Sequence, residues 1–568
     1  MVAQAALAFL LMVAVLVGCG PTAGGGPVGA DQASAPSAVK TIVVAALAPI
    51  KVYGHTEFPS GGGAALTEIH SNGLVVNDAK GGIEPRLAAK FPSLEDGTIV
   101  LLPDGRMQTT WKLRPNIKWQ DGSPFTAQDL SFGLDVRRDV AGPEASLASR
   151  QIERIDAPDP LTAVITWQTT FFKHLELNIS ELWPYPEHLL RDAPRGDRES
   201  FLNLPYWTSE YVHLGPFRLV DYGFGETQVF ERFDGYYLGR PKVDRIVIRS
   251  IGDPNTLFAN LQAGTVDIAS EETLPTELAI DLRTEWMRTD SGSVLTRVEN
   301  LRYVMVQLNP DWARTPALAR DVRLRRGLYL GLDTSAIREL SLPGLPDTEA
   351  DSFLRKNDPR GPIVGQPLAR YRYDPNRAFQ ELADAGWRRG ADGRLINEAG
   401  EAVQLDLRGS ASSAKETSSV AQLWRQTLSV DVAEENVPPA RAQDREYRAK
   451  FPGMEFRSSN GDNVFALFDS RTRPTAESRY VGGNPTGYES PIFDRLLQSL
   501  YATLEESQQA IIIREMGEML ATEVPIMPMY VRVDLAAVVK GVRALADDYA
   551  GTTFTRGMAR NAHLWDRL

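Results

Sequence analysis

Cysteine occurs once in 568 residues, at Cys19. A single thiol cannot close an internal disulfide or build a multi-thiolate zinc site. Histidine is scarce too: six residues, at positions 55, 70, 174, 188, 213 and 563, with no HExxH and no His-x-His pair. A catalytic zinc is therefore not expected, and neither is any other cofactor. The chain lacks a G-x-S-x-G elbow and a phosphate-binding G-x-x-x-x-G-K-[ST] loop, so neither supports a serine hydrolase or a nucleotide hydrolase. No basic run interrupts a balance of 61 Lys+Arg against 73 Asp+Glu, net −12, which argues against a nucleic-acid binder. No apolar run of about 18 residues occurs after the first 18, so the body is not expected to span a membrane. No repeat of fixed period is visible.

What is present begins at the N-terminus. Met1 to Gly18 carries no charged side chain, and Ala5 to Val17 is almost wholly apolar. That run is short for a membrane span, which needs about 20 residues, and suits the apolar core of a secretory signal. Leu16-Val17-Gly18-Cys19 closes it. Gly20 to Ser37 follows, mostly Gly, Pro, Ala and Ser, with one charge at Asp31. Such a stretch buries too little to order itself and reads as a flexible tether with a reach of roughly 23 Å. Its Gly24-Gly25-Gly26-Pro27-Val28-Gly29 matches G-x-G-x-x-G only formally, since no strand precedes it and no helix follows.

The sequence as a whole is 43% hydrophobic and 24% charged, an ordinary globular mix with length for about three to five structural units. Thr41-Ile42-Val43-Val44-Ala45 predicts a strand buried on both faces. Thr98 to Leu113 predicts a hairpin about Pro103-Asp104-Gly105, with Met107, Trp111 and Leu113 on one buried face. Thr126 and Asp129 predict a helix start. Leu161–Trp167 alternates like a strand. Gly215–Asp221 and Val229–Phe233 read as paired strands. A strand over 244–251, a helix over 256–263 ended by Gly264 and a strand from Val266 form a βαβ unit. Asp374-Pro375 opens a helix with Ala378, Leu382 and Ala385 inward and Gly386 at its end. A longer helix is expected over 504–522, with Ile512, Met516, Met519 and Leu520 inward. The class is α/β.

Several stretches together resemble the peptide/nickel-type (family 5) solute-binding proteins of bacterial ABC importers. The strongest runs from Ile83 to Asp135 and includes Pro85-Arg86-Leu87-Ala88 and the block from Trp111-Lys112-Leu113-Arg114-Pro115 through Trp119-Gln120-Asp121-Gly122-Ser123-Pro124 to Asp129. Further matches follow in family order, among them Pro184–Leu189, Gly215-Pro216-Phe217, Leu261–Asp267, Tyr373-Asp374-Pro375, Leu382–Trp387 and Pro525–Tyr530. The resemblance covers about residues 40–565.

This resemblance implies a periplasmic-binding-protein-like type II fold: two lobes, a hinge and an extra inserted domain. Its boundaries would be a lipoprotein signal peptide at 1–18, a tether at 19–38, lobe I from 39–76, 205–303 and 535–568, the inserted domain at 77–204, and lobe II at 304–534. It implies a non-enzymatic receptor that closes on a peptide or small-molecule ligand and hands it to ABC permease subunits. The receptor would be a monomer held outside the cytoplasm by lipid on Cys19. A sensory binding protein, a binder of nickel chelate, haem or oligosaccharide, and, more remotely, an extracytoplasmic hydrolase are the alternatives.

Most signature residues read as turns and core. In the peptide-binding branch a lobe II carboxylate pairs with the ligand's amino group, between a Trp and a Tyr. The comparable stretch, Gly453–Asn463, has neither aromatic. Glu455 or Asp462 is the candidate charge there, and Arg457 a bidentate partner for a ligand carboxylate. Tyr53, Glu57, Thr67 and Asn72 are candidates on the facing wall, and Tyr530 near the hinge.

Overall fold

The computed structural model describes residues 39–54, 64–79, 82–141, 146–223, 226–270, 273–345, 348–354, 358–410, 413–438, 441, 444–545, 549 and 558–568. Cys19, the signal-like run, the tether and Glu57 lie outside them. Contacts divide the chain between Val39 and Lys40, and the description concerns Lys40 onward.

The apolar run near the start is the strand Thr41–Ala46. It lies between two parallel neighbours, Arg245–Ser250 and Ile268–Ala269, which is why both its faces are apolar. The connection between those neighbours is the helix Pro254–Gln262. Asp253 caps it by accepting the Thr256 N–H at 2.7 Å, and Pro254 occupies its first turn. Gly264, at φ +66°, ends the unit. The second strand is shorter than expected. Asp267 turns its carboxylate sideways to accept the Val43 N–H at 2.8 Å, and only Ile268 and Ala269 pair.

Two long strands organise the rest. Gly292–Val306 and Ile526–Val539 run antiparallel side by side. At one end they carry Ile268–Ala269, Thr41–Ala46, Arg245–Ser250, Thr227–Arg232 and Phe217–Asp221. On the other side they carry Met454–Asn460, Gln404–Gly409 and Asp431–Asn436, giving ten strands in one sheet. Strand directions follow from the pairings. Thr41–Ala46, Arg245–Ser250 and Ile268–Ala269 run parallel to Gly292–Val306, whereas Met454–Asn460, Gln404–Gly409 and Asp431–Asn436 run against it. The carboxyl ends of both groups therefore point at the middle of Gly292–Val306. The ladder is irregular there, with register shifts at Val298/Leu301 and Arg302/Tyr303. The halves on either side are the two lobes of a type II binding fold.

The expected hairpin is present as Ile99–Leu101 and Met107–Lys112, in a four-stranded antiparallel sheet with Thr162–Trp167 and Ile152–Asp159. Trp111, Trp119 and Trp167 fill its core. Thr126 and Asp129 start the helix Ala127–Ala141, the Asp129 carboxylate accepting the Thr126 N–H at 2.8 Å. The Trp119-Gln120-Asp121 signature joins this sheet to the first half. Buried Gln120 donates to the carbonyls of His70 (3.3 Å), Gly215 (3.1 Å) and Phe217 (2.7 Å) and accepts the His213 N–H (3.0 Å). Asp121 Oδ2 meets His188 Nε2 at 2.7 Å.

His213 fills the same junction. Its ring is edge-on to Trp119 and Trp183, and its Nε2 faces the Pro184 carbonyl at 3.0 Å. Burial pushes its pKa down to about 3, so the native ring is neutral. The unfolded ring takes up a proton near pH 6.5. Stability is thus full above pH 6.5 and falls as the pH drops towards 3. Between pH 7 and pH 5 this ring alone is expected to remove about 2 kcal/mol. Urea unfolding of wild type and His213→Phe at both pH values measures it. Equal pH dependence in the two proteins would overturn the assignment.

The helix expected over 504–522 is present as Glu506–Glu523, starting two residues later than expected. Pro491–Ala502 and Glu506–Glu523 are separate helices, turned at Thr503–Glu505. The Glu505 carboxylate caps the second, accepting the N–H groups of Ser507 and Gln508. Ile513, Met516 and Leu520 are its buried face, with Ile512 and Met519 half-buried.

Candidate ligand cleft

In open α/β sheets ligands bind where the carboxyl ends of strands meet. Here two sets of such ends face each other, so the candidate cleft lies over the centre of Gly292–Val306. The strand Met454–Asn460 enters it. Its register places Arg457 opposite Tyr303 and Glu455 opposite Met305, on one face, with Ser458 opposite Arg302 on the other.

On the first face Glu455 and Arg457 are brought together, with a consequence for their roles. Glu455 is 2% exposed. Its Oε1 receives Arg457 Nε at 3.0 Å and Arg448 Nη2 at 2.8 Å, and Arg408 Nη1 stands 3.9 Å from Oε2. A carboxylate shared by three guanidinium groups is not available as the partner of a ligand's ammonium. The expectation for Glu455 is corrected accordingly: it holds arginines in place. Burial lowers the Arg448 pKa, and burial likewise pushes the Tyr303 hydroxyl up to about 12.

The arginines line a pocket of about 320 Å³, formed by Arg445, Arg448, Arg457, Tyr480, Gly482 and Gly483 with neighbouring apolar groups. Arg445 and Arg448 lie three apart on the short helix Arg445–Ala449 and so share a face. The opposite wall is a tight turn. Arg479 and Tyr480 are both left-handed, at φ +51° and +58°, a conformation non-glycine residues adopt at a cost. A Cβ at Gly482 would lie 2.2 Å from the Thr472 carbonyl oxygen, so only glycine lets the turn approach. Arg408 stacks on Tyr447 at 4.0 Å, behind the pocket.

The opposite face carries Tyr530. Its hydroxyl donates to Glu416 Oε1 at 2.9 Å, and the same oxygen receives Arg302 Nη2 at 2.8 Å. Arg302 also lies 4.8 Å from the Phe456 ring. Burial raises the Tyr530 hydroxyl pKa to about 12.

The remaining candidates sit elsewhere. Tyr53 is buried, stacked on Tyr211 at 5.1 Å and edge-on to His70 and Phe230. Thr67 is buried in the turn Thr67–His70. Asn72 Nδ2 donates to the Leu214 carbonyl at 2.9 Å. These three are packed into the interior of the first half, in place of the exposed cleft wall expected for them. Asp462 falls in the helical turn Gly461–Phe468, directly after the strand that enters the cleft. Arg408, Arg445, Arg448 and Tyr480 went unread in the sequence. The Arg445-x-x-Arg448 spacing was the available signal. Among the described residues no group of three or more His, Cys, Asp or Glu is placed to hold a metal ion.

Two lobes joined by crossing strands, with opposed strand ends lined by polar side chains, define a solute-binding protein of the type II periplasmic class. The model of the bacterial extracellular solute-binding proteins, family 5, matches residues 83–475, and the chain belongs to that family. The oligopeptide-binding protein AppA of Bacillus subtilis is 24% identical over 313 residues, 54% of this chain and 53% of that one. The chain thus aligns with about half the length of such curated relatives. The nickel-binding periplasmic protein of Escherichia coli is 24% identical over 473 residues, 80% of this chain and 82% of that one. The fold is shared with the oligopeptide-binding protein of Thermus thermophilus, solved with a pentapeptide: TM-score 0.72, 19% identity, 93% of this chain and 96% of that one.

Proposed function

We propose that the chain is an extracytoplasmic receptor that closes on a solute bearing an anionic group and delivers it to the permease of an ABC importer. The observation that carries the ligand class is the arginine-lined pocket beside the cleft. Arg457 and Arg448, aimed by Glu455, present planar donor forks to a carboxylate or similar group. Family membership supports binding without catalysis. Residues 39–76, 205–303 and 535–568 make one lobe and 304–534 the other, with 77–204 inserted. The receptor acts as a monomer and is held at the membrane by lipid on Cys19. Among the described residues no helix is long and apolar enough to cross a membrane.

A thermal-shift screen tests the ligand class, using peptides, metal chelates of polycarboxylates, haem and neutral oligosaccharides. A ligand at 100 times its Kd is expected to add about 2.7 kcal/mol of stability. The stabilising compounds should all be anionic at the assay pH. Stabilisation by neutral oligosaccharides alone would overturn the ligand class, and turnover of any compound would overturn the receptor reading.

A further inference from the structure

Away from the crossing strands, the inserted domain reaches the second lobe at the corner between the two C-terminal helices. The Phe172 N–H donates to the Tyr501 carbonyl at 2.9 Å. Their rings stack at 5.6 Å with 15° between planes. Leu504, from the same corner, packs against the core of the inserted domain. Both sides are firmly seated. Phe171 stacks on Trp167 at 5.2 Å, inside the inserted sheet's core. The corner is pinned by Gln509 Nε2, which donates to the Thr503 carbonyl at 2.9 Å. The Tyr501 carbonyl belongs to the last turn of Pro491–Ala502, where helix carbonyls have no partner within the helix.

We propose that Phe172, Tyr501 and Leu504 form a clasp by which the inserted domain holds the second lobe in the ligand-retaining position. The proposal rests on the closure reading above. The clasp gives the inserted domain a part in ligand retention without contact with ligand. It is also reversible by construction. Opening exposes one aromatic pair and releases one N–H and one C=O, which water can satisfy, while each jaw keeps its own core.

The test uses the full chain without ligand. In a Cys19→Ser background, exposed Leu94 on the inserted domain and exposed Leu340 on the second lobe are changed to cysteine and labelled for distance measurement by single-molecule energy transfer. Phe172→Ala and Tyr501→Ala, one on each jaw, are each expected to raise the ratio of long to short distances two- to tenfold, the span of an aromatic pair. The double variant should add little, because both remove one contact. Phe172→Tyr should restore the wild-type ratio. Should one alanine variant fail to fold, the other reads the same contact. Two distances with an unchanged ratio would overturn the clasp alone. A single distance in every variant would overturn the clasp and the closure reading together.

Discussion

Arg457→Ala is expected to weaken ligand binding about a hundredfold, the usual scale for truncating one partner of a desolvated, hydrogen-bonded charge pair. The structure says why the loss should fall on binding and not on folding. Glu455 would keep Arg448 at 2.8 Å and Arg408 at 3.9 Å, so no buried carboxylate is left without a cation. The 24% exposed Arg457 side chain is replaced by solvent. Arg457→Lys should recover only part of the affinity, because an ammonium lacks the planar fork. Glu455→Gln should also weaken binding: it releases both arginines from a fixed orientation and leaves them repelling each other. Calorimetric titration of wild type and the three variants, with the compound selected by the screen, measures this. Wild-type affinity in Arg457→Ala would remove the pocket from the ligand site.

Gly215→Ala is expected to cost about 3 kcal/mol or more, at the upper end for overpacking. A Cβ there would lie 2.2 Å from the carbonyl carbon of His70 and 2.5 Å from the Ser71 nitrogen. These are backbone atoms, so no rotamer change relieves the clash. The backbone is also held from both sides: the Gly215 N–H donates to the His70 carbonyl at 3.0 Å, and the Gly215 carbonyl accepts Gln120 Nε2 at 3.1 Å. Moving this bend would undo the Gln120 clamp between the lobe and the inserted domain. Gly196→Ala is the control, with nothing within 4 Å of its Cβ and no positive φ, and should be within about 0.5 kcal/mol of wild type. Urea unfolding of the three proteins decides it. Equal stability of the two variants would show that the junction yields.

These residues also mark how far the sequence could be read. Strands announced by β-branched runs and turns announced by Pro103-Asp104-Gly105 or Asp374-Pro375 are local, and the structure has them. The Gly215-Pro216-Phe217 and Trp119-Gln120-Asp121 motifs were visible as family signatures, and their physical content is a backbone contact and a three-carbonyl clamp. The two crossing strands were not legible as strands: Ile526–Val539 is buried on both faces and so does not alternate, and register shifts at Val298/Leu301 and Arg302/Tyr303 interrupt their pairing. The start of the helix Glu506–Glu523 lies two residues later than expected, because Leu504 fits the apolar period while Glu505 caps the first turn. The site was harder still. Whether Glu455 meets a ligand or an arginine depends on Arg448, earlier in the chain on a helix, and on Arg408 in a neighbouring strand. One-dimensional spacing carries no distance between them. Tyr53 and Asn72 have the chemistry of pocket residues, and only packing shows them turned inward.

The crossing strands have a mechanical consequence. Gly292–Val306 and Ile526–Val539 are hydrogen-bonded to each other on both sides of the irregular ladder at Val298–Tyr303. A paired ribbon of this kind resists sliding, since sliding breaks every rung, but it yields to twisting and to bending out of its plane, most easily at a bulge. The lobes are therefore denied shear and left twisting and bending as their soft motions. In the receptor proposed above, ligands of different sizes would be accommodated by how far these motions proceed, with the two walls keeping the same residues opposite one another.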